Sequence, residues 1–256
     1  MINLFQSRDL LREWTFRNIH ARYQQSVLGW FWAVLQPAAQ ATIYTIVFTL
    51  VVRIDTGNIP YVIFSYVAMV PWTLLTTSLT DMSNSLVDNM TLVNKIYFPR
   101  EILPVAAMLA RLMDFGVAAI LVVILMIFYQ IHIFPIGLVF LPVIFMIQLF
   151  LVLGIGLAAA AANVFVRDIR SLMVLGLQLW FYATPIIYPV TAVPDNLRPY
   201  YYLNPMNGII EAYRDVLLRS QLPGGYLMPA VVVAAAAFVF GYRFFKRVEF
   251  QFADIV

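Results

Sequence analysis

A chain of 256 residues with 62% hydrophobic and only 11% charged side chains, at a mean hydropathy of +0.84, lies outside the soluble range of about half apolar and a quarter charged. It reads as an integral membrane protein with no room for a soluble domain of useful size, so any energy-consuming module must be a separate chain. The formal charge of +3 matters through where the charges lie, and the absence of cysteine excludes disulfide and thiolate chemistry.

Residues 1–29 are charged and lack a central apolar run, which argues against a cleavable signal peptide. Leu10, Leu11 and Trp14 share a helical face opposite Arg8, Asp9, Arg12 and Glu13, while Phe16, Ile19 and Tyr23 fall on another. The pattern predicts an interfacial amphipathic region, kinked or split into two short helices. Residues 28–54 contain the first span, entered through Trp30, Phe31 and Trp32 and carrying Pro37. After a short turn, residues 61–79 return as the second span, interrupted by Pro71 and Trp72.

Residues 81–101 form a long polar break whose Leu86, Met90 and Val93 make a stripe fit to dock on another protein. The third span is expected over 103–130 and the fourth over 136–162, ending in small residues that let helices approach closely. VRDIR, residues 166–170, is a tight polar turn. A fifth span starts at Leu172 and meets Pro185 and Pro189, each of which removes a backbone donor.

Residues 189–225 are too broken and charged to span a bilayer and too apolar for water. They hold Tyr200, Tyr201 and Tyr202, then Met206, Ile209, Ile210, Tyr213, Val216 and Leu217 at helical spacing. This stretch predicts a re-entrant or interfacial lid on the exterior side. Residues 226–242 make the sixth span. The expected fold is an all-α integral membrane protein, one transmembrane domain over 1–256, with six transmembrane helices, an N-terminal interfacial helix (1–29), five spans within 30–188, short re-entrant helices (189–225), and the sixth span with its tail (226–256).

Basic residues set the orientation. With the N-terminus inside, Arg8, Arg12, Arg17, Arg22, Lys95, Arg100, Arg167, Arg170, Arg243, Lys246 and Arg247 are cytoplasmic, against Arg53, Arg198, Arg214 and Arg219 outside. The positive-inside rule then places both termini in the cytoplasm.

A nucleotide-binding loop needs glycine followed by lysine, yet Lys95 and Lys246 follow no glycine. Gly154, Gly156 and Ala159 match a dinucleotide fingerprint by letter only, inside an apolar helix. His20 and His132, the only histidines, read as interfacial residues. No catalytic, metal or cofactor site is expected. Arg111 and Asp114, three apart within the third span, can pair. They serve either helix or dimer packing or a substrate contact. Phe64, Tyr66, Trp72, Trp180, Phe181, Tyr182 and Tyr188 sit beside proline breaks, as packing residues or as a conduit on whose faces sugar rings stack.

The segments RYQQSVLGWFWAVLQPAAQATIYTIVF, NKIYFPREILPVA, NVFVRDI, FYATPIIYP and NPMNGIIEAYRDVLL occur in this order. In them the chain resembles the membrane subunit of a bacterial ABC polysaccharide exporter, which moves lipid-linked O-antigen or teichoic acid across the inner membrane. The resemblance implies a homodimer among membrane lipids, with no nucleic-acid partner. Two copies of a separate ATP-binding subunit would carry ATP and magnesium. It places ATPase contacts at Asn94, Lys95, Tyr97, Pro99, Arg100, Glu101, Arg167 and Asp168. The exterior lid falls at Tyr200, Tyr201, Tyr202, Asn204, Pro205, Glu211 and Arg214. Two other readings stand beside it. One is an ABC exporter of small hydrophobic compounds, some of which carry a larger exterior domain after the first span. The other is a membrane-embedded glycosyltransferase or polymerase, for which only Asp195, Glu211 and Asp215 would face the lid.

Overall fold

The computed structural model describes residues 7–24, 26–29, 31–51, 57, 59–95, 98–132 and 134–253, with the backbone alone at 50, 51, 94 and 253. Trp30, Arg53, Tyr97 and the Asn94 side chain lie outside this description. The described residues are helical or irregular, with no strand among them.

Helix α1, Arg8–Tyr23, packs along the third span with Trp14 buried. It is unbroken, although the apolar stripe shifts midway. Its first face buries Trp14, and its last turn is held by ionic partners described below.

Helix α2, Phe31–Thr45, carries Pro37 and passes into a π turn at Ile46–Val51. Helix α3, Tyr61–Ser85, is the most buried of the spans. A short turn leads to α4, Met90–Lys95, and then α5 runs Ile102–Phe128. The single turn α6, Pro135–Leu138, precedes α7, Leu141–Phe165. Helix α8 is Ile169–Tyr182, α9 is Arg198–Tyr201, α10 is Pro205–Leu217 and α11 is Leu227–Val248, closed by a 3-10 turn at Glu249–Ala253.

Among the described residues, five helical segments are long and apolar enough to cross a membrane: Phe31–Thr49, Tyr61–Ser85, Ile102–Phe128, Pro135–Phe165 and Leu227–Phe252. The fifth expected span is the exception. At 14 residues, α8 rises about 21 Å against a hydrocarbon core of about 30 Å. Its helix stops at Tyr182, ahead of Pro185 and Pro189. Three other helices overrun the expected limits. Helix α3 continues past Asp81 to Ser85, α7 reaches Phe165 and α11 reaches Val248. Asp81 on α3 and Lys246 on α11 are carried inside helices with side-chain ion-pair partners.

The core is built on α3, which touches α2, α5, α7, α8 and α10. A proline in its middle is accommodated as membrane helices require, by neighbours satisfying nearby backbone groups. Gln148 of α7 donates its Nε2 to the Pro71 carbonyl at 2.8 Å, and Tyr213 of α10 donates to Gln148 Oε1 at 3.2 Å. Helices α7 and α11 meet backbone to backbone. A Cβ at Gly241 would stand 1.9 Å from the Gly154 carbonyl oxygen, so only small residues allow this crossing.

Candidate functional site

Two ends of the bundle and one groove carry the polar chemistry. At one end, the break after α8 leaves carbonyl groups with no helical donor, and the predicted lid supplies the donors. Asn204 caps α10, its Oδ1 accepting from the Met206 amide at 3.1 Å, with Pro205 at the first helical position. The same Oδ1 accepts from Trp180 Nε1 at 2.8 Å, and Asn204 Nδ2 donates to the Ala183 carbonyl at 3.1 Å. Nearer the other end of α10, the Arg214 guanidinium is fully buried. It donates to the carbonyls of Pro185 at 2.6 Å and Ile186 at 2.9 Å, pairs with Glu211 at 2.9 Å, and lies 3.6 Å from the Phe64 ring centroid. Tyr61 completes the set by donating to the Ile187 carbonyl at 2.6 Å.

Arg219 bonds both Glu211 and Asp215 at 2.7 Å, and Tyr226 donates to Asp215. Burial alone would raise the Glu211 carboxyl, but Arg214 and Arg219 hold it below the usual carboxylate range. Burial, then the Glu211 and Asp215 charges, raise the Tyr202 hydroxyl. Tyr202 stacks on Tyr226 with centroids 5.3 Å apart, Tyr201 hydrogen-bonds Tyr188 at 2.6 Å, and Tyr200 is exposed. The carboxylates offered to a transferase reading are thus split. Glu211 and Asp215 are buried and neutralised, and Asp195 is exposed and paired with Arg198.

At the opposite end, Arg111 and Asp114 do pair, at 3.1 Å, as half of a square. Asp81 of α3 accepts from Arg111 at 2.6 Å and from Arg22 of α1 at 2.9 Å, and Arg22 reaches Asp114 at 2.8 Å. Tyr23 donates to Asp114. Burial first, then this carboxylate, pushes its hydroxyl up to about 12. Two arginines and two aspartates from three helices cancel, which is what a partly buried charge requires.

The segments matched to ATPase contact lie at this same end. Lys95, Arg167 and Asp168 are exposed, and Pro99 and Arg100 are half-buried. Glu101 is 4% exposed and ion-paired with Lys246. Arg100 donates to the Glu249 carbonyl.

Between the ends, α2, α3 and α8 enclose an open groove of about 540 Å³. Its polar wall is Gln36, Gln40, Thr73, Thr76, Thr80 and Gln178, and its aromatic wall is Tyr44, Trp72, Phe181 and Tyr182. The three glutamines are exposed and have no hydrogen-bond partner among the described residues. Of the proposed conduit residues, Trp72, Phe181 and Tyr182 line this groove, with the Trp72 ring 5.7 Å from Phe181 and 6.0 Å from Trp180. Trp180 faces an apolar groove on the other side of α8. Phe64 and Tyr66 are 1% exposed, the first beneath Arg214 and the second bonded to the Ala118 carbonyl. Tyr188 is held by the Tyr182 carbonyl and Tyr201.

Sequence reasoning missed Arg22, Tyr23, Asp81, Tyr44, the groove glutamines and the tail residues Lys246, Glu249 and Phe252. Gln36 and Gln40, one turn apart inside an apolar span, were the readable signal.

Residues 10–218 match the model of the family described as ABC-2 type transporter. An O-antigen export system permease protein of Myxococcus xanthus is 31% identical over 242 residues, covering 92% of this chain and 90% of that one. A protein of the same description from Klebsiella pneumoniae is 27% identical over 254 residues, 99% of this chain and 97% of its own. A polysialic acid transport protein of Escherichia coli is 22% identical over 214 residues, 82% of this chain and 81% of the relative. With the family model matching most of its length and a relative 31% identical over nine-tenths of it, the chain belongs to the ABC-2 type transporter family, as a multi-pass membrane transporter subunit.

Proposed function

We propose that two copies of this chain and two copies of an ATP-binding partner export a lipid-linked polysaccharide, O-antigen or a similar polymer, across the bacterial inner membrane. One observation carries the reading: a groove between the candidate spans α2 and α3 and the apolar helix α8, in which exposed Gln36, Gln40 and Gln178 stand with Tyr44, Trp72, Phe181 and Tyr182. Amide groups without partners are costly against lipid, so such a wall belongs to a water-filled path. Glutamine and threonine exchange hydrogen bonds with sugar hydroxyls, while the aromatic faces accept the C–H faces of the rings. Many weak contacts of this kind let a polar polymer slide without a tight site.

The relatives named for O-antigen and polysialic acid transport support the substrate class. The basic-residue bias supports a cytoplasmic location for both termini, for α4 and for the α7–α8 turn, with α9 and α10 on the far side. A groove open on one flank supports a homodimer, since a second groove facing it would close the path. ATP-driven closure of the partner subunits displaces the cytoplasmic elements, separates the two bundles and releases the exterior brace. The partner's contacts must differ between those states for coupling to occur.

The test is where envelope polysaccharide accumulates in cells lacking the chain, by fractionation and surface labelling. Lipid-linked polymer trapped on the cytoplasmic side and released by a plasmid copy is the expected result. Normal surface display without the chain overturns the reading.

A further inference from the structure

The 3-10 turn Glu249–Ala253 does not extend α11 outward; it folds against the end of the bundle that carries α4. Phe252 is fully buried. Its ring centroid lies 5.6 Å from that of Phe245 on α11 and 5.9 Å from that of Phe165, the last residue of α7. The Arg100 guanidinium stands 5.8 Å over the same ring, and Arg100 also donates to the Glu249 carbonyl. Lys246 pairs with Glu101 and, at 3.1 Å, with Glu249.

Two segments thus rest on one tail. The first is the stretch ending in Arg100 and Glu101, and the second is the turn that follows Phe165 and exposes Arg167 and Asp168. The Glu101 carboxylate is turned inward and already neutralised, so it offers little to a partner. The ammonium it meets is covalently part of α11.

We infer that the carboxy-terminal turn is a strut joining the two segments that meet the ATP-binding subunit, and that Glu101 serves as a positioning residue through Lys246 without touching that subunit. This rests on the permease reading above. Close-packed elements transmit displacement because they do not deform gradually, so a strut seated on both segments moves them together. An isolated α4 pushed by the partner would otherwise slide past the α7–α8 turn.

A charge exchange tests it. The full chain is co-expressed with its ATP-binding subunit and reconstituted in nanodiscs, and the affinity of the two is measured for Glu101→Lys, for Lys246→Glu and for the double exchange. Each single variant should weaken association about tenfold, and the double should return to within about threefold, the range expected of directly coupled sites. A residue serving only the fold would lower the melting temperature and leave the affinity of the surviving population unchanged. Should Glu101→Lys fail to insert, Glu101→Gln, Lys246→Met and their double give the same cycle without reversed charge.

If the double stays as weak as Glu101→Lys alone, the partner reads Glu101 directly and the inference is overturned. Unchanged affinity in both singles overturns it as well. Arg167→Glu separates this failure from that of the underlying reading: it should weaken association by itself. A wild-type chain that captures no ATP-binding subunit, with Arg167→Glu indistinguishable from it, removes the permease reading and the strut together.

Discussion

Helices α8 and α10 are nearly equal in length, 14 and 13 residues, and sit on either side of the same break. By composition α8 is the membrane helix and α10 the charged surface helix. The packing is the reverse. Only Leu177 is buried on α8, whereas α10 is buried from Pro205 to Val216, with Glu211, Arg214 and Asp215 inside. In a bilayer, apolar surface needs no cover because lipid tails are as apolar as leucine. Polar groups and irregular backbone do need it. A charged helix is therefore the one drawn into the protein, where Arg214 meets the carbonyls that α8 leaves open.

The largest test of that contrast is Arg214→Met. It leaves the Pro185 and Ile186 carbonyls unpaired and takes from Glu211 its buried partner. Breaking a buried ion pair on one side costs about 3–5 kcal/mol, read as a large drop in melting temperature of the purified chain or as failure to insert. A melting temperature within two degrees of wild type would mean that the break does not depend on α10.

The same cluster sets an acid limit. Glu211 is held below its ordinary range in the folded chain, so its contribution is present above the unfolded carboxylate value of about 4.3 and is lost as pH falls through the lower, folded value. Thermal stability should therefore fall with acidification beneath about pH 4, and Glu211→Gln should flatten that limb while lowering stability at neutral pH. An acid limb unchanged in the variant would assign it to other carboxylates.

Asn204→Ala comes next. It removes the cap of α10 and the acceptor for Trp180 Nε1, which is worth about 0.5–2 kcal/mol for a cap. Asn204→Ser keeps an oxygen for Met206 N–H and should recover part of the loss. Equal melting of the two variants would mean that the cap contributes nothing and that the side chain serves Trp180 alone.

These elements also mark what the sequence made legible. Pro185 and Pro189 announced the break, and the apolar stripe of residues 206–217 announced a helix after it. Burial of the opposite, charged face was readable in principle, because Glu211, Arg214, Asp215 and Arg219 recur at three- and four-residue spacing. Length misled at α8, where an apolar run from Leu172 read as a span although only 14 residues are helical. Charges misled at α3 and α11. Asp81 looked like the end of a span, and its partners Arg22 and Arg111 lie 59 and 30 residues away, a separation that local periodicity cannot register. For the same reason only half of the ionic square was visible. The groove escaped because it needs α2, α3 and α8 side by side, and buried Phe64 and Tyr66 look no different in sequence from groove-lining Phe181 and Tyr182.

The smallest expected effect sharpens the comparison most. Leu175 on α8 is 53% exposed in the single chain, so Leu175→Ala exchanges one lipid-facing apolar side chain for another. Its melting temperature should correspond to a change within about 0.5 kcal/mol, as for substitutions away from packed sites. A loss of about 2 kcal/mol or more is what removing a packed leucine costs. That outcome would mean that α8 is covered by a second copy across the groove, and the contrast with α10 would then hold for the protomer and vanish in the dimer. Measuring the same variant at detergent concentrations that separate the copies distinguishes the two cases, since only a covered leucine gives an effect that disappears on dissociation.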